Sequence, residues 1–173
     1  MPSPLDLFIC YARKDRPHCE ELEKHLRLLK RREIINDIWW DKKIHAGEEW
    51  DREIHKRINS SHIILLIMSV DLFSSTYIEK VEMEIALKRQ QAGEAVVIPI
   101  YLRYVSWEPF LGELQALPSG DRPICAWPKA GREQQWMIVS KRIEEAANRL
   151  GISGTKPGNE GPAHADPEPD REL

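Results

Sequence analysis

A chain of 173 residues, 42% hydrophobic and 31% charged, has the size of one ordinary domain with a tail and can bury a core without disulfides or metals. A formal charge of −3 argues against a general nucleic-acid binder. No apolar run reaches the length of a membrane span, and the chain does not open on a basic region followed by an apolar one, so neither membrane nor export is expected. The three cysteines, Cys10, Cys19 and Cys125, have no paired spacing, which fits a reducing, cytoplasmic setting; Cys10, in an apolar strand, reads as a small buried hydrophobe.

Apolar and amphipathic runs alternate along the chain. Leu5–Tyr11 reads as the first strand, and Asp15 as the cap of a helix that runs to about Arg32 with Leu22, Leu26 and Leu29 on one face. Ile34–Trp40 is a second strand. Glu48–Asn59 is helical by pattern, with Trp50, Ile54 and Ile58 at four-residue steps. Ile63–Val70 is an unbroken apolar run, as expected of a strand covered on both faces. Thr76 and Glu79 have capping-box spacing and start a helix that ends near Gly93. Val96–Leu102 is a further strand in which Pro99 predicts a bulge or a gap in the ladder. Pro123–Trp127 reads as a short edge strand, and Glu133–Leu150 as a last helix stopped by Gly151.

Repeated strand–helix alternation predicts an α/β fold, a five-stranded parallel sheet with helices on both faces, over residues 1–151. Residues 152–173 are rich in Pro, Gly and acidic residues. Lys156 and Arg171 stand there against Glu160, Asp166, Glu168, Asp170 and Glu172, so this segment holds the whole formal charge of −3 and reads as a disordered tail or linker.

In a parallel sheet the ligand crevice lies beyond the carboxyl ends of the strands, which directs attention to residues 11–15, 40–49, 70–77 and 103–110. None of these loops is a glycine-rich phosphate cradle, no serine lies in a GxSxG elbow, and the six histidines form no metal-ligand spacing. A receiver domain needs an acidic pair after the first strand, where this chain has Cys-Tyr-Ala-Arg. Arg13 and Lys14, at a helix N-terminus, are either a phosphate-holding pair or ordinary solvated charges. The long loop from Trp40 to Trp50 is a candidate for partner contact, while at least one of Trp39, Trp40 and Trp50 belongs to the core.

The candidate acid is Glu82. Its neighbours three and four positions away are Ile78, Glu79, Ile85 and Ala86, with no cation among them. Glu84 has Lys80 and Lys88 at those spacings, the pattern of a solvated, paired surface residue. Glu82 is therefore either a carboxylate tuned by apolar company or one at the edge of the buried stripe with its head in water.

With these pieces in order, LDLFICYARKD, WWDKKIHAGEEWDREI, SVDLFSSTYIEKVEMEIAL, and VVIPIYLR followed by Trp107, the chain resembles a bacterial-type TIR (Toll/interleukin-1 receptor) domain from Leu5 to Leu150. The resemblance implies a flavodoxin-like five-stranded sheet. Enzymatic members are NAD+ glycohydrolases that break the nicotinamide–ribose bond, releasing ADP-ribose or its cyclic form. It also implies Glu82 as the catalytic glutamate, with Ala12, Arg13, His45 and Tyr77 at substrate-contact positions. NAD+ would be the substrate, with no other cofactor and no metal. The active form would be a homotypic assembly through the BB loop, Asp41 to Trp50, switched by a sensor domain beyond the tail. Other members are non-catalytic adaptors, and that alternative stands beside the enzyme.

Overall fold

Four of the apolar runs form one parallel sheet in the computed structural model, which describes residues 3–40, 50–75 and 81–153. The strands are β1 (Leu5–Cys10), β2 (Ile35–Trp39), β3 (Ile63–Met68) and β4 (Val96–Tyr101), in the order β2-β1-β3-β4. Between them run α1 (Arg16–Arg31), α2 (Trp50–Ser60), the short α3 (Val70–Ser74) and α4 (Met83–Gln91). After β4 come α5 (Glu108–Leu111) and the long α6 (Lys129–Ser153). The fold is the α/β arrangement the alternation predicts, in the flavodoxin-like form the resemblance implies.

Strand periodicity divides the interior into two layers, because successive side chains of a strand point to opposite faces. Leu7, Ile9 and Tyr11 enter the layer built by Leu22 and Leu26 of α1 with Trp136 and Ile143 of α6. Phe8, Cys10 and Ala12 enter the other, with Ile54 and Ile58 of α2 and Met83 and Ala86 of α4. Every residue of β3 is buried, as an unbroken apolar run requires of a central strand. Trp39 stacks on Phe8 at 5.1 Å and Trp40 meets Tyr11 edge-on at 5.3 Å, so both tryptophans are core.

The fifth strand is a correction. Ile124–Ala126 is a 3-10 turn, closed by hydrogen bonds from Ala126 N to Pro123 O (3.1 Å) and from Trp127 N to Ile124 O (3.2 Å). Proline at its entry has no N–H for a ladder, and these local bonds coil the chain. The described sheet therefore has four strands. Leu117 instead covers the outer edge of β4, donating to Pro99 O at 2.8 Å while its carbonyl accepts from Tyr101 N at 2.7 Å. That disposes of the expected bulge. The N–H and C=O of one strand residue point the same way, so the missing N–H of Pro99 faces that edge and the β3–β4 register passes unbroken. The register shift in the sheet lies instead between Leu5 and Asp6.

Element boundaries also move. β3 stops at Met68, because the Ser69 hydroxyl accepts from Leu72 N at 3.1 Å and caps α3. α6 continues past Gly151 to Ser153. Gly93, by contrast, follows α4 with φ +72°, the left-handed residue its position predicts.

Arg89 anchors α4. Its buried guanidinium donates to the carbonyls of Ile58 and Ser61, both at 2.6 Å, and to that of Glu94 at 3.2 Å, and so holds α4 against the end of α2. Arg89→Met, which keeps most of the volume and none of the donors, should cost about 2 kcal/mol in urea unfolding. An unchanged midpoint would mean that water replaces the guanidinium freely.

Candidate functional site

Beyond β1 the chain stays extended through Ala12 (φ −84°, ψ 142°) and then tightens into a 3-10 turn over Arg13–Asp15, with Asp15 N donating to Ala12 O at 2.8 Å. Ala12 is buried in the same layer as Cys10 and Met83, while Arg13 is exposed. Lys14 reaches Asp71 of α3 at 3.5 Å as an exposed pair. The structure thus sets Ala12 as a wall and leaves the Arg13 guanidinium in solvent at the mouth of the first loop.

Glu82 stands at the entrance to α4, in a π turn with Val81, and is only 5% exposed. The Cys10 thiol, on the last residue of β1, is fully buried in the layer that also holds Met83. Burial first, and then the adjacent Glu82 charge, push that thiol well above its usual pKa, so it remains protonated. Glu84 is exposed and paired with Lys88 at 2.8 Å. The two glutamates differ as their spacing predicts, and the reading of Glu82 with its head in water is excluded by its burial. Cys10 is the small buried core residue expected of it. His45, Tyr77, the BB-loop residues 41–49 and the capping pair Thr76 and Glu79 lie outside the described residues.

A second polar cluster joins three loops at the same end of the sheet. Asp15 is fully buried. Its carboxylate accepts from Ser69 Oγ at 2.6 Å and from Arg103 Nε at 2.8 Å. It does not cap α1 through its side chain, as expected from sequence, because both oxygens are engaged across the sheet. Arg103 Nη2 also lies 3.3 Å from His18 Nε2, and Cys125 Sγ is 3.5 Å from the same nitrogen. Ser69, Arg103, His18 and Cys125 were not singled out from sequence. The available signal is positional: Ser69 follows the last strand residue of β3 directly, and Arg103 is the first charged residue after β4.

Two half-buried histidines set a pH dependence. Burial is the largest influence on each and lowers the pKa of His18 and of His62 from 6.5; Arg103 adds to it at His18. The His62 ring accepts from Asp6 N at 3.0 Å through Nδ1, a role only the neutral ring can fill. The unfolded chain therefore binds more protons than the folded one just below pH 6.5, and stability falls as pH drops through that region. The urea midpoint should decrease from pH 7.5 to 5.5, with a shallower decrease in His62→Asn. A flat profile in the unsubstituted chain would contradict the burial of these rings.

Among the described residues no three His, Cys, Asp or Glu side chains are grouped to hold a metal, and no helix is long and apolar enough to cross a membrane. A family model for the TIR domain matches residues 7–135. An uncharacterized protein of Sinorhizobium fredii (strain NBRC 101917 / NGR234), y4lF, is 39% identical over 169 residues, which is 96% of this chain and 50% of that protein. The chain thus spans about half the length of this curated relative. The crystal structure of the TIR domain of the Toll-related receptor TRR-2 from Hydra magnipapillata is 24% identical, covers 80% of this chain and 98% of its own, and superposes with a TM-score of 0.53, a likeness of fold. With three quarters of the chain inside the family match and a parallel sheet to agree with it, this protein belongs to the TIR domain family.

Proposed function

We propose that the domain is an NAD+ glycohydrolase, with Glu82 as its catalytic carboxylate and activity switched on by self-assembly. The observation that carries this reading is Glu82 itself, a buried carboxylate at the carboxyl end of a parallel sheet, beside the loop that presents Ala12 and Arg13.

The chemistry suits one acid. Nicotinamide leaves NAD+ as a neutral base from a cationic ribosyl pyridinium and needs no proton from the protein. The transition state is oxocarbenium-like, and a carboxylate in a low-dielectric wall stabilises its developing positive charge more strongly than one in water. Arg13, exposed at the first loop, is the partner for the pyrophosphate, and Tyr77 for the nicotinamide ring. Assembly through the BB loop, Asp41 to Trp50, completes the site with a second copy. The relative's roughly doubled length fits a sensor or effector segment beside a TIR domain. The setting proposed is the cytoplasm.

The test is nicotinamide release from NAD+ by the chain tethered to vesicles at increasing surface density. Release that rises with density, with ADP-ribose or its cyclic form as co-product, supports the reading. No release at any density leaves the non-catalytic interaction module, and the BB loop becomes the surface to mutate.

A further inference from the structure

Asp15 ends the 3-10 turn that presents Arg13, and the two side chains leave that turn in different directions. With three residues per turn, positions 13 and 15 lie about 120° apart around its axis. Asp15 is fully buried, while Arg13 stands in solvent. Within the backbone the turn is closed by Asp15 N donating to Ala12 O at 2.8 Å. The Asp15 carboxylate makes no cap to α1 and is engaged across the sheet instead. One oxygen accepts from Ser69 Oγ at 2.6 Å, on the residue that follows β3, and the other from Arg103 Nε at 2.8 Å, beyond β4. Both anchors are themselves held. Ser69 Oγ accepts from Leu72 N at 3.1 Å, and Arg103 N donates to Met68 O at 3.2 Å.

From this geometry we propose that Asp15 is a positioning residue: it ties the Arg13 turn to the exits of β3 and β4, and so fixes where the Arg13 guanidinium meets the pyrophosphate of NAD+. The effect on substrate affinity rests on the NAD+ reading; the tie itself does not. A turn left free to open would have to be ordered each time substrate bound, at a cost to affinity. A carboxylate suits the task because Arg103 cancels its charge, so the tie adds no net repulsion toward an anionic pyrophosphate. The Lys14–Asp71 pair also runs from this turn to α3, but an exposed pair at 3.5 Å fixes little.

Two measurements on the full chain test this. Their control is Ile143→Ala, a buried position beside Glu144, whose partner Arg32 lies at the far end of α1 from Asp15. The first is hydrogen exchange at the amide of position 15, which needs no substrate. Its protection should fall about tenfold further in Asp15→Ala than in Ile143→Ala, and Asp15→Asn, which still offers Arg103 an oxygen, should keep most of it. The second is steady-state NAD+ cleavage by the clustered protein. Arg13→Ala and Asp15→Ala should each raise KM about tenfold with kcat within about twofold, since the pyrophosphate lies away from the bond that breaks. Their double substitution should be no worse than Arg13→Ala alone, because Asp15 acts through Arg13. Asp15→Asn should recover most of the affinity, and Ile143→Ala should leave KM unchanged. Protection at position 15 that Asp15→Ala does not lower overturns the proposal whatever the activity. So do KM losses that multiply in the double substitution, or a KM in Asp15→Ala no higher than in Ile143→Ala. If the unsubstituted chain is inert even when clustered, it is the NAD+ reading that fails, and exchange at position 15 alone decides whether the carboxylate ties the turn.

Discussion

Glu82→Gln should lower kcat for nicotinamide release about a thousandfold, with KM within a few-fold of the unsubstituted chain. The substitution keeps volume and hydrogen-bonding capacity, so the fold has little to lose. What disappears is a negative charge in a wall where only 5% of the residue is exposed. On the proposed reading, that charge would act most strongly on the positive ribosyl centre as the bond to nicotinamide breaks. An interaction made chiefly in the transition state appears in kcat rather than in KM. Glu84→Gln is the matched control: same helix, same chemistry, exposed, and paired with Lys88. It should change neither parameter by more than twofold or so. Equal losses in both variants would place the effect in helix stability instead of charge.

Arg103→Ala should destabilise the domain by about 3 kcal/mol, the largest effect expected of any single charge removal here. Asp15 is fully buried, and its carboxylate accepts from the neutral Ser69 hydroxyl at 2.6 Å and from the Arg103 guanidinium, its counter-charge, at 2.8 Å. Without Arg103 the carboxylate is left in the interior with one neutral donor. Its partner is less exacting: the Arg103 side chain is 43% exposed and can turn to water if Asp15 is removed. Asp15→Asn alone should therefore cost less than Arg103→Ala, and the double substitution less than the sum of the two. Additive losses in urea unfolding would mean that the pair is not coupled. Because Ser69 also caps α3, loosening this cluster should raise hydrogen exchange first at Leu72 and Phe73, whose amides donate to Ser69.

The fold was legible wherever the signal is periodic. Continuous apolar runs mark β3 and β4, three- and four-residue steps mark α1 and α2, and Gly93 marks the end of α4. What misled was local. Pro123–Trp127 has strand-like composition, but a proline at the start of a short run next to an already covered edge coils instead. Pro99 predicts a defect only if its N side faces a neighbouring strand, and which side it faces is a matter of register that composition does not carry.

The site divides in the same way. Helix spacing separated Glu82 from Glu84, because neighbours at three and four positions are a property of the helix alone. The depth at which Glu82 is buried could not be read, since that depends on the elements packed against its helix. Asp15 reads as a cap because aspartate before a helix usually is one. Its true partners, Ser69 and Arg103, lie 54 and 88 positions away.

The most direct test of the central claim is nicotinamide release from NAD+ by three clustered proteins side by side: the unsubstituted chain, Glu82→Gln and Glu84→Gln. The account predicts release by the first and third and its loss in the second. Release that survives Glu82→Gln would contradict the assignment of the carboxylate, and absence of release from all three would contradict the NAD+ reading itself.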